Sequence, residues 1–142
     1  MSKKLKKILV VDDSPVMQKL TKKMLENNGF TVYEAYNGAE CLAKAKDNLP
    51  DIILMDVILP YSNGKDIVGK LNSDSATEKI PIIFTTNTLH LEVDDGHQTF
   101  KVDEQKYRAF AKPLHYRKLI STIHKEINRS IHGGELPPGK EN

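Results

Sequence analysis

Apolar residues in this chain come in short continuous runs, separated by stretches in which they recur at helical spacing. Residues 8–11, Ile-Leu-Val-Val, form a run of strand length without alternation, the pattern of a strand buried on both faces. After it, Val16, Leu20, Met24 and Leu25 recur with helical period. Ser14 or Asp13 can cap the start of this helix, Pro15 suits its first turn, and Asn27-Asn28-Gly29 ends it. Residues 30–35 read as a second strand, and 38–47 as a second helix with Leu42 and Ala45 inward. Leu49-Pro50 breaks the chain before a third buried strand at 51–55. A loop at 60–64 precedes a helix over 66–71, with Ile67, Val68 and Leu71 on one stripe. Pro81 opens a strand at 82–85, an allowed place for proline, and 109–111 read as a short fifth strand. A last helix over 114–131 presents Leu119, Ile120, Ile123, Ile127 and Ile131 on one face.

Strands alternating with helices imply an α/β fold whose parallel sheet is covered on both faces. The expected architecture is a flavodoxin-like doubly wound sheet of five parallel strands in the order 2-1-3-4-5. Ligands of such sheets sit outside the carboxyl ends of the strands, at the switch point between strands 1 and 3.

The 142 residues suffice for one domain with its own core, and 39% apolar with 28% charged residues is a globular balance. The expected domain covers 1–131. Residues 132–142, His-Gly-Gly-Glu-Leu-Pro-Pro-Gly-Lys-Glu-Asn, carry turn-formers without periodicity and read as a flexible tail or the stub of a linker. A formal charge of +2 gives no argument for direct nucleic-acid binding, and the lysines within 3–7 read as a solvated lead-in to the first strand. A single cysteine, Cys41, leaves no disulfide framework and no metal-ligand spacing. With no membrane-length apolar run and no signal peptide, the expected location is the cytoplasm.

Candidate chemistry collects at the strand ends. Asp12 and Asp13 follow strand 1 and Asp56 follows strand 3, so the topology brings three carboxylates to one edge of the sheet. Alone they would repel one another and raise their own pKa values. A hard divalent cation offsets that repulsion, and oxygen ligands with room for water suit Mg²⁺. Thr86 adds a hydroxyl at the end of strand 4, and Lys112 an ammonium at the end of strand 5. Singly these residues have plain structural readings: a helix cap for Asp13, a loop cap for Asp56, a turn hydroxyl for Thr86, a solvated lysine for Lys112. Together they make a site for a phosphoryl group, with a carboxylate as nucleophile.

At these residues the sequence resembles the CheY-like receiver domain of two-component response regulators. The matching pieces are Val10-Val11-Asp12-Asp13-Ser14-Pro15, the segment 54–64 with Pro60 and Gly64 at the usual offsets from Asp56, the segment 80–86, and Ala111-Lys112-Pro113. The resemblance implies that Asp56 accepts a phosphoryl group from the phosphohistidine of a sensor histidine kinase or phosphotransfer protein. It implies that Asp12, Asp13, Asp56 and the Ile58 backbone carbonyl hold Mg²⁺, that Thr86 and Lys112 bind the phosphoryl oxygens, and that the Lys112–Pro113 bond is cis. An output protein of unknown kind would read the changed surface.

Three positions depart from the family pattern. The aromatic switch residue three positions before the lysine is replaced by Ala109, which cannot swing; Tyr107 and Phe110 are read as lying on the opposite strand face. Asn87 stands where a small residue is usual, and its amide could bond the phosphoryl oxygens or obstruct them. The segment 88–108 lacks the usual fourth helix, which is therefore altered or missing. Its Asp94-Asp95-Gly96 could turn a β-hairpin, with a mobile loop as the other reading. His90 and His97 lie in no regular frame and are not read as a metal site.

The leading reading is thus a phosphoacceptor receiver, not an enzyme. The alternative is a degenerate receiver that binds a partner independently of phosphorylation, favoured by Ala109 and the altered fourth helix. An aspartyl phosphatase commonly has a second acid two positions after the nucleophile, where Asp56 is followed by Val57 and Ile58. A flavin protein would carry a Ser/Thr/Gly-rich phosphate loop after strand 1.

Overall fold

The computed structural model of the chain describes residues 5–60, 62–87, 92–94 and 97–131. Five parallel strands form the centre of the sheet: β1 (Lys7–Val11), β2 (Thr31–Ala35), β3 (Ile52–Asp56), β6 (Ile82–Thr86) and β9 (Gln105–Ala111). They lie in the expected order, β2-β1-β3-β6-β9. The central strands β3 and β6 are buried at every position, as a sheet covered on both faces requires.

Strand alternation sorts the core into two layers. Leu9, Val11, Ile53, Met55 and Phe84 face α2 (Gly38–Asn48) and α3 (Gly64–Asn72), meeting Cys41, Ala45, Ile67, Val68 and Leu71. Ile8, Val10, Ile52, Leu54 and Ile83 face α1 (Pro15–Asn27) and α4 (Tyr116–Ile131), meeting Leu25, Leu119, Ile123 and Ile127. The helices start on caps written in the sequence. Ser14 Oγ accepts from the Met17 amide at 3.2 Å, with Pro15 in the first turn, and Asn37 Oδ1 accepts from the Glu40 amide at 2.8 Å.

Along α1 the apolar spacing misleads. Val16 and Leu20 are 68% and 51% exposed, and the buried face is Gln18, Thr21 and Leu25. Gln18 is there because its amide nitrogen donates to the carbonyls of Val10, Asp12 and Ala35, at 3.0, 3.1 and 2.8 Å. These carbonyls lie at the carboxyl ends of β1 and β2, and that of Ala35 also accepts from the Asp12 amide at 3.0 Å.

Between β6 and β9 the described residues contain strands and no helix. β7 (Glu92–Asp94) pairs antiparallel with β8 (His97–Val102), which pairs antiparallel with β9, so the sheet continues to seven strands. Asp94 pairs with His97, so Asp95 and Gly96 connect the two strands; they lie outside the described residues, as do residues 88–91 with His90, and the tail 132–142. The fifth parallel strand is consequently longer than the expected 109–111. Asp103 and Glu104 turn β8 into β9, with Asp103 at φ +54°, a conformation aspartate tolerates better than most residues. The loop at 60–64 contains a second small pairing, β4 (Ile58–Leu59) with β5 (Ser62–Asn63).

The placement of Tyr107 opposite Ala109 is corrected here. Two residues apart on one strand, both belong to the α2/α3 layer, and only Phe110 lies in the other. Ala109 is paired with Phe84 and is 2% exposed. The rings of Phe84 on β6 and Phe100 on β8, the strands flanking β9, meet at 5.0 Å between centroids, and Tyr107 meets Phe84 edge-on at 5.5 Å. An alanine on the intervening strand leaves space for that contact.

Ala109→Phe is therefore expected to overpack this cluster and cost about 1–3 kcal/mol in urea denaturation. Cys41 is fully buried, and burial pushes its thiol up to about 12. It should not react with an aromatic disulfide reagent in the native protein and should titrate as one thiol in guanidinium.

Candidate functional site

The site is built from the carboxyl ends of β1, β3, β6 and β9. Val11 pairs with Met55, which sets Asp12 and Asp56, each the next residue, side by side. Both are buried, at 4% and 7% exposure, whereas Asp13 is exposed. One carboxylate oxygen from each of Asp12, Asp13 and Asp56 lies within 4.8 Å of the others.

Lys112 closes the cluster from the far side. Its backbone amide donates to Thr86 O at 2.9 Å, continuing the β6–β9 pairing by one step. Its Nζ donates to Asp12 Oδ2 and to Asp56 Oδ2, each at 2.7 Å. The second oxygen of each carboxylate is held by backbone: Asp12 Oδ1 accepts from the Ser14 amide at 2.9 Å, and Asp56 Oδ1 from the Ile58 amide at 3.0 Å. The Lys112–Pro113 peptide bond is cis.

Burial raises the Asp56 carboxyl above its ordinary range, against the pull of the Lys112 ammonium. For Lys112, burial acts downward, but the hydrogen bonds and charges of Asp12 and Asp56 outweigh it and hold the ammonium up. Three carboxylates with one ammonium leave two negative charges uncompensated. Hard oxygen donors in that charge balance fit a divalent cation, so the cluster can hold a metal ion.

The remaining expected residues fall around this centre. Thr86, fully buried, ends β6 one residue past Thr85, the register partner of Asp56. Asn87 next to it is exposed, as is Ile58 at 69%. Ala109 lies below the site on β9, level with Phe84. The loop after Asp56 is pinned on both sides, with the Val57 amide on Thr85 O at 2.9 Å and Val57 O accepting from Gly64 at 3.0 Å. A β-carbon on Gly64 would stand 3.2 Å from Val57 O and 3.1 Å from the Phe84 ring, so any larger residue would crowd this approach. Gln18 belongs to the site as a positioning residue that sequence reasoning missed. The apolar spacing of α1 carried no signal for it, since Val16 and Leu20 mark the exposed face.

Comparison with known proteins agrees with this geometry. Residues 8–124 match the model of the response regulator receiver domain family. The chain is 37% identical over 121 residues to the protein PilH of Pseudomonas aeruginosa, covering 82% of this chain and 93% of PilH. It is 32% identical to the probable transcriptional regulator ycf29 of Pyropia yezoensis, covering 88% of this chain but 54% of that protein. Among solved structures, a CheY-like receiver domain protein from Methanospirillum hungatei superposes with a TM-score of 0.74 at 26% identity, over 92% of this chain and 99% of the other. The receiver domain of a Pseudomonas aeruginosa sensor histidine kinase, solved with a magnesium ion in its active-site cleft, superposes with a TM-score of 0.75 at 25% identity, over 88% and 99%. With the acidic cluster, the lysine and the doubly wound sheet all in place, the chain belongs to the receiver domains of two-component response regulators.

Proposed function

We propose that this receiver accepts a phosphoryl group on Asp56 from the phosphohistidine of a sensor histidine kinase or phosphotransfer protein, and signals through a changed surface. The observation that carries the reading is the Lys112 ammonium held at 2.7 Å from both Asp12 and Asp56, with Asp13 within reach of the same centre. In this reading residues 1–131 are the receiver unit, 132–142 a tail or linker stub, and the place of action the cytoplasm. No described helix is long and apolar enough to cross a membrane.

The chemistry is a displacement at phosphorus. A carboxylate oxygen of Asp56 forms the new P–O bond as the P–N bond to the donor imidazole breaks, and the imidazole nitrogen keeps the electron pair and takes up a proton. Mg²⁺, when bound by Asp12, Asp13, Asp56 and the Ile58 carbonyl, supplies positive charge against the phosphoryl oxygens. Lys112 exchanges its contact with Asp56 for a phosphoryl oxygen, and the Thr86 hydroxyl, with the Asn87 amide beside it, donates to another. Because Asp56 Oδ1 is tied to the Ile58 amide, Oδ2 is the oxygen released when Lys112 moves.

One observation favours a second reading. Ala109 fills a packed position with no side chain able to rotate, which suits a receiver whose partner surface does not respond to phosphorylation.

Incubation with Mg²⁺ and acetyl phosphate should add the mass of one phosphoryl group, and Asp56→Asn should abolish it. No adduct on the wild type overturns the proposal. Amide shifts confined to the site after phosphorylation, with β8, β9 and α4 unmoved, would support the second reading. Lys112→Met should destabilise the metal-free protein, because it leaves Asp12 and Asp56 facing each other without the ammonium. Removing one partner of a fully buried pair costs about 3–5 kcal/mol, an upper bound here because a carboxylate can take up a proton. The folded-state pKa of Asp56 is already raised, so protonation favours the folded variant. Its deficit in urea denaturation should be largest at neutral pH and should shrink as the pH falls toward 5.

A further inference from the structure

A second cavity, of about 270 Å³, opens at the other end of the sheet from Asp56. It is lined by Pro81 and Ile82 where β6 begins and by the first residues of β9, whereas Asp56 closes β3 at the opposite end. Three buried side-chain polar atoms among the described residues lack a hydrogen-bond partner: Gln18 Oε1, Thr99 Oγ1 and Arg129 Nε. The last two belong to residues that line this cavity. Thr99 is 8% exposed; Arg129 has a side chain 41% exposed and bonds Glu126 Oε2 through Nη1 at 3.1 Å, with its Nε–H enclosed and unused.

A buried donor without an acceptor costs about 1–3 kcal/mol, and such groups in a folded protein call for a reason. The cavity supplies one. Its walls carry Lys79, Lys106, Arg108 and Arg129 against Glu78 and Glu126, the last paired with Arg129, so cationic side chains outnumber anionic ones. The complementary ligand has acceptor oxygens and negative charge. The volume falls just below the usual range of small-molecule pockets, about 300–1,000 Å³, and suits a compact group rather than a folded partner. We propose that this cavity binds a small oxyanion-bearing ligand, a phosphate or a carboxylate, through the Thr99 hydroxyl and Arg129 Nε. Thr99 is carried by β8, so the hairpin supplies one wall of the cavity. It does not rest on phosphorylation of Asp56.

The test is titration of the full chain with sodium phosphate, and separately with sodium succinate, at constant ionic strength and without divalent cation, followed by amide chemical shifts. Saturable shifts centred on Thr99, Arg108 and Ser130 are expected, and the anion that gives them distinguishes phosphate from carboxylate recognition. Thr99→Val and Arg129→Gln should each weaken binding about tenfold, the loss expected for one hydrogen bond to a charged group. Arg117→Gln, outside the cavity, should bind as the wild type does. Thr99→Val should also leave the ligand-free protein as stable as wild type or more so, since it removes an unpaired hydroxyl. Absence of saturation at these residues with both anions overturns the proposal, as does equal weakening by Arg117→Gln, which would show only general surface charge.

Discussion

The carboxyl end of the sheet depends on one ammonium shared by two buried carboxylates. At 2.7 Å and an effective dielectric of about 20, each attraction is of order 6 kcal/mol, against a desolvation penalty of several kcal/mol for each ion. The cluster is therefore close to balance, and every partner is needed to keep it there. The geometry also explains why the cation is a lysine. β9 lies two strands from β3, roughly 10 Å at the usual strand spacing, with β6 between them. A long unbranched side chain leaving the end of β9 covers that span; a shorter one would leave Asp56 without a counter-charge. With Lys112 in place two negative charges still remain, so the site is arranged to take more positive charge.

Most of this was legible because it depends on topology, and topology was written in the apolar runs. Once residues 8–11, 51–55 and 82–85 read as buried strands, the positions of Asp12, Asp56, Thr86 and Lys112 at a common edge followed from strand order alone. What escaped was set by contacts between segments. Gln18 looked like a surface residue because helical periodicity counts apolar side chains, and Val16 and Leu20 scored for the wrong face. Its three bonds to the carbonyls of Val10, Asp12 and Ala35, at the ends of β1 and β2, decide its burial. The face of Tyr107 was available from alternation by two and was misassigned. The Asp103-Glu104 turn was missed since neither residue is a glycine, and with it the full length of β9. The Asp95-Gly96 connection was legible as one of two readings, and the pairing of β7 with β8 favours the hairpin.

The hairpin explains the departure at Ala109 in packing terms. Once β8 joins the sheet beside β9, Phe100 reaches the same face as Phe84, and the two rings touch across the strand between them. Only a small side chain on that strand permits this. Among the described residues the hairpin and the small side chain at 109 thus go together: β8 supplies a ring to the face that Ala109 leaves open. Lys65, with its Nζ 6.0 Å from the centre of the Phe100 ring, covers the outer side of the cluster.

This substitution bears on how a signal could leave the site. Phe84 is fully buried between the rings of Phe100 and Tyr107, and Ala109 beside it has no side chain to rotate, so a rotamer exchange at 109 has no counterpart here. In the proposed reaction Lys112 and Thr86 would change partner, and they are joined by the backbone bond from the Lys112 amide to Thr86 O. Displacement of either is therefore shared by the ends of β6 and β9. β9 carries the antiparallel hairpin on its outer edge and leads through Pro113 into α4, so these two elements are the ones joined most directly to Lys112. In a close-packed sheet such strain is relieved where packing is thinnest. Val93 on the outermost strand is 72% exposed, while Ile83 and Phe84 at the centre are fully buried. Among the described residues the outer β7 edge is thus the more exposed part of the sheet.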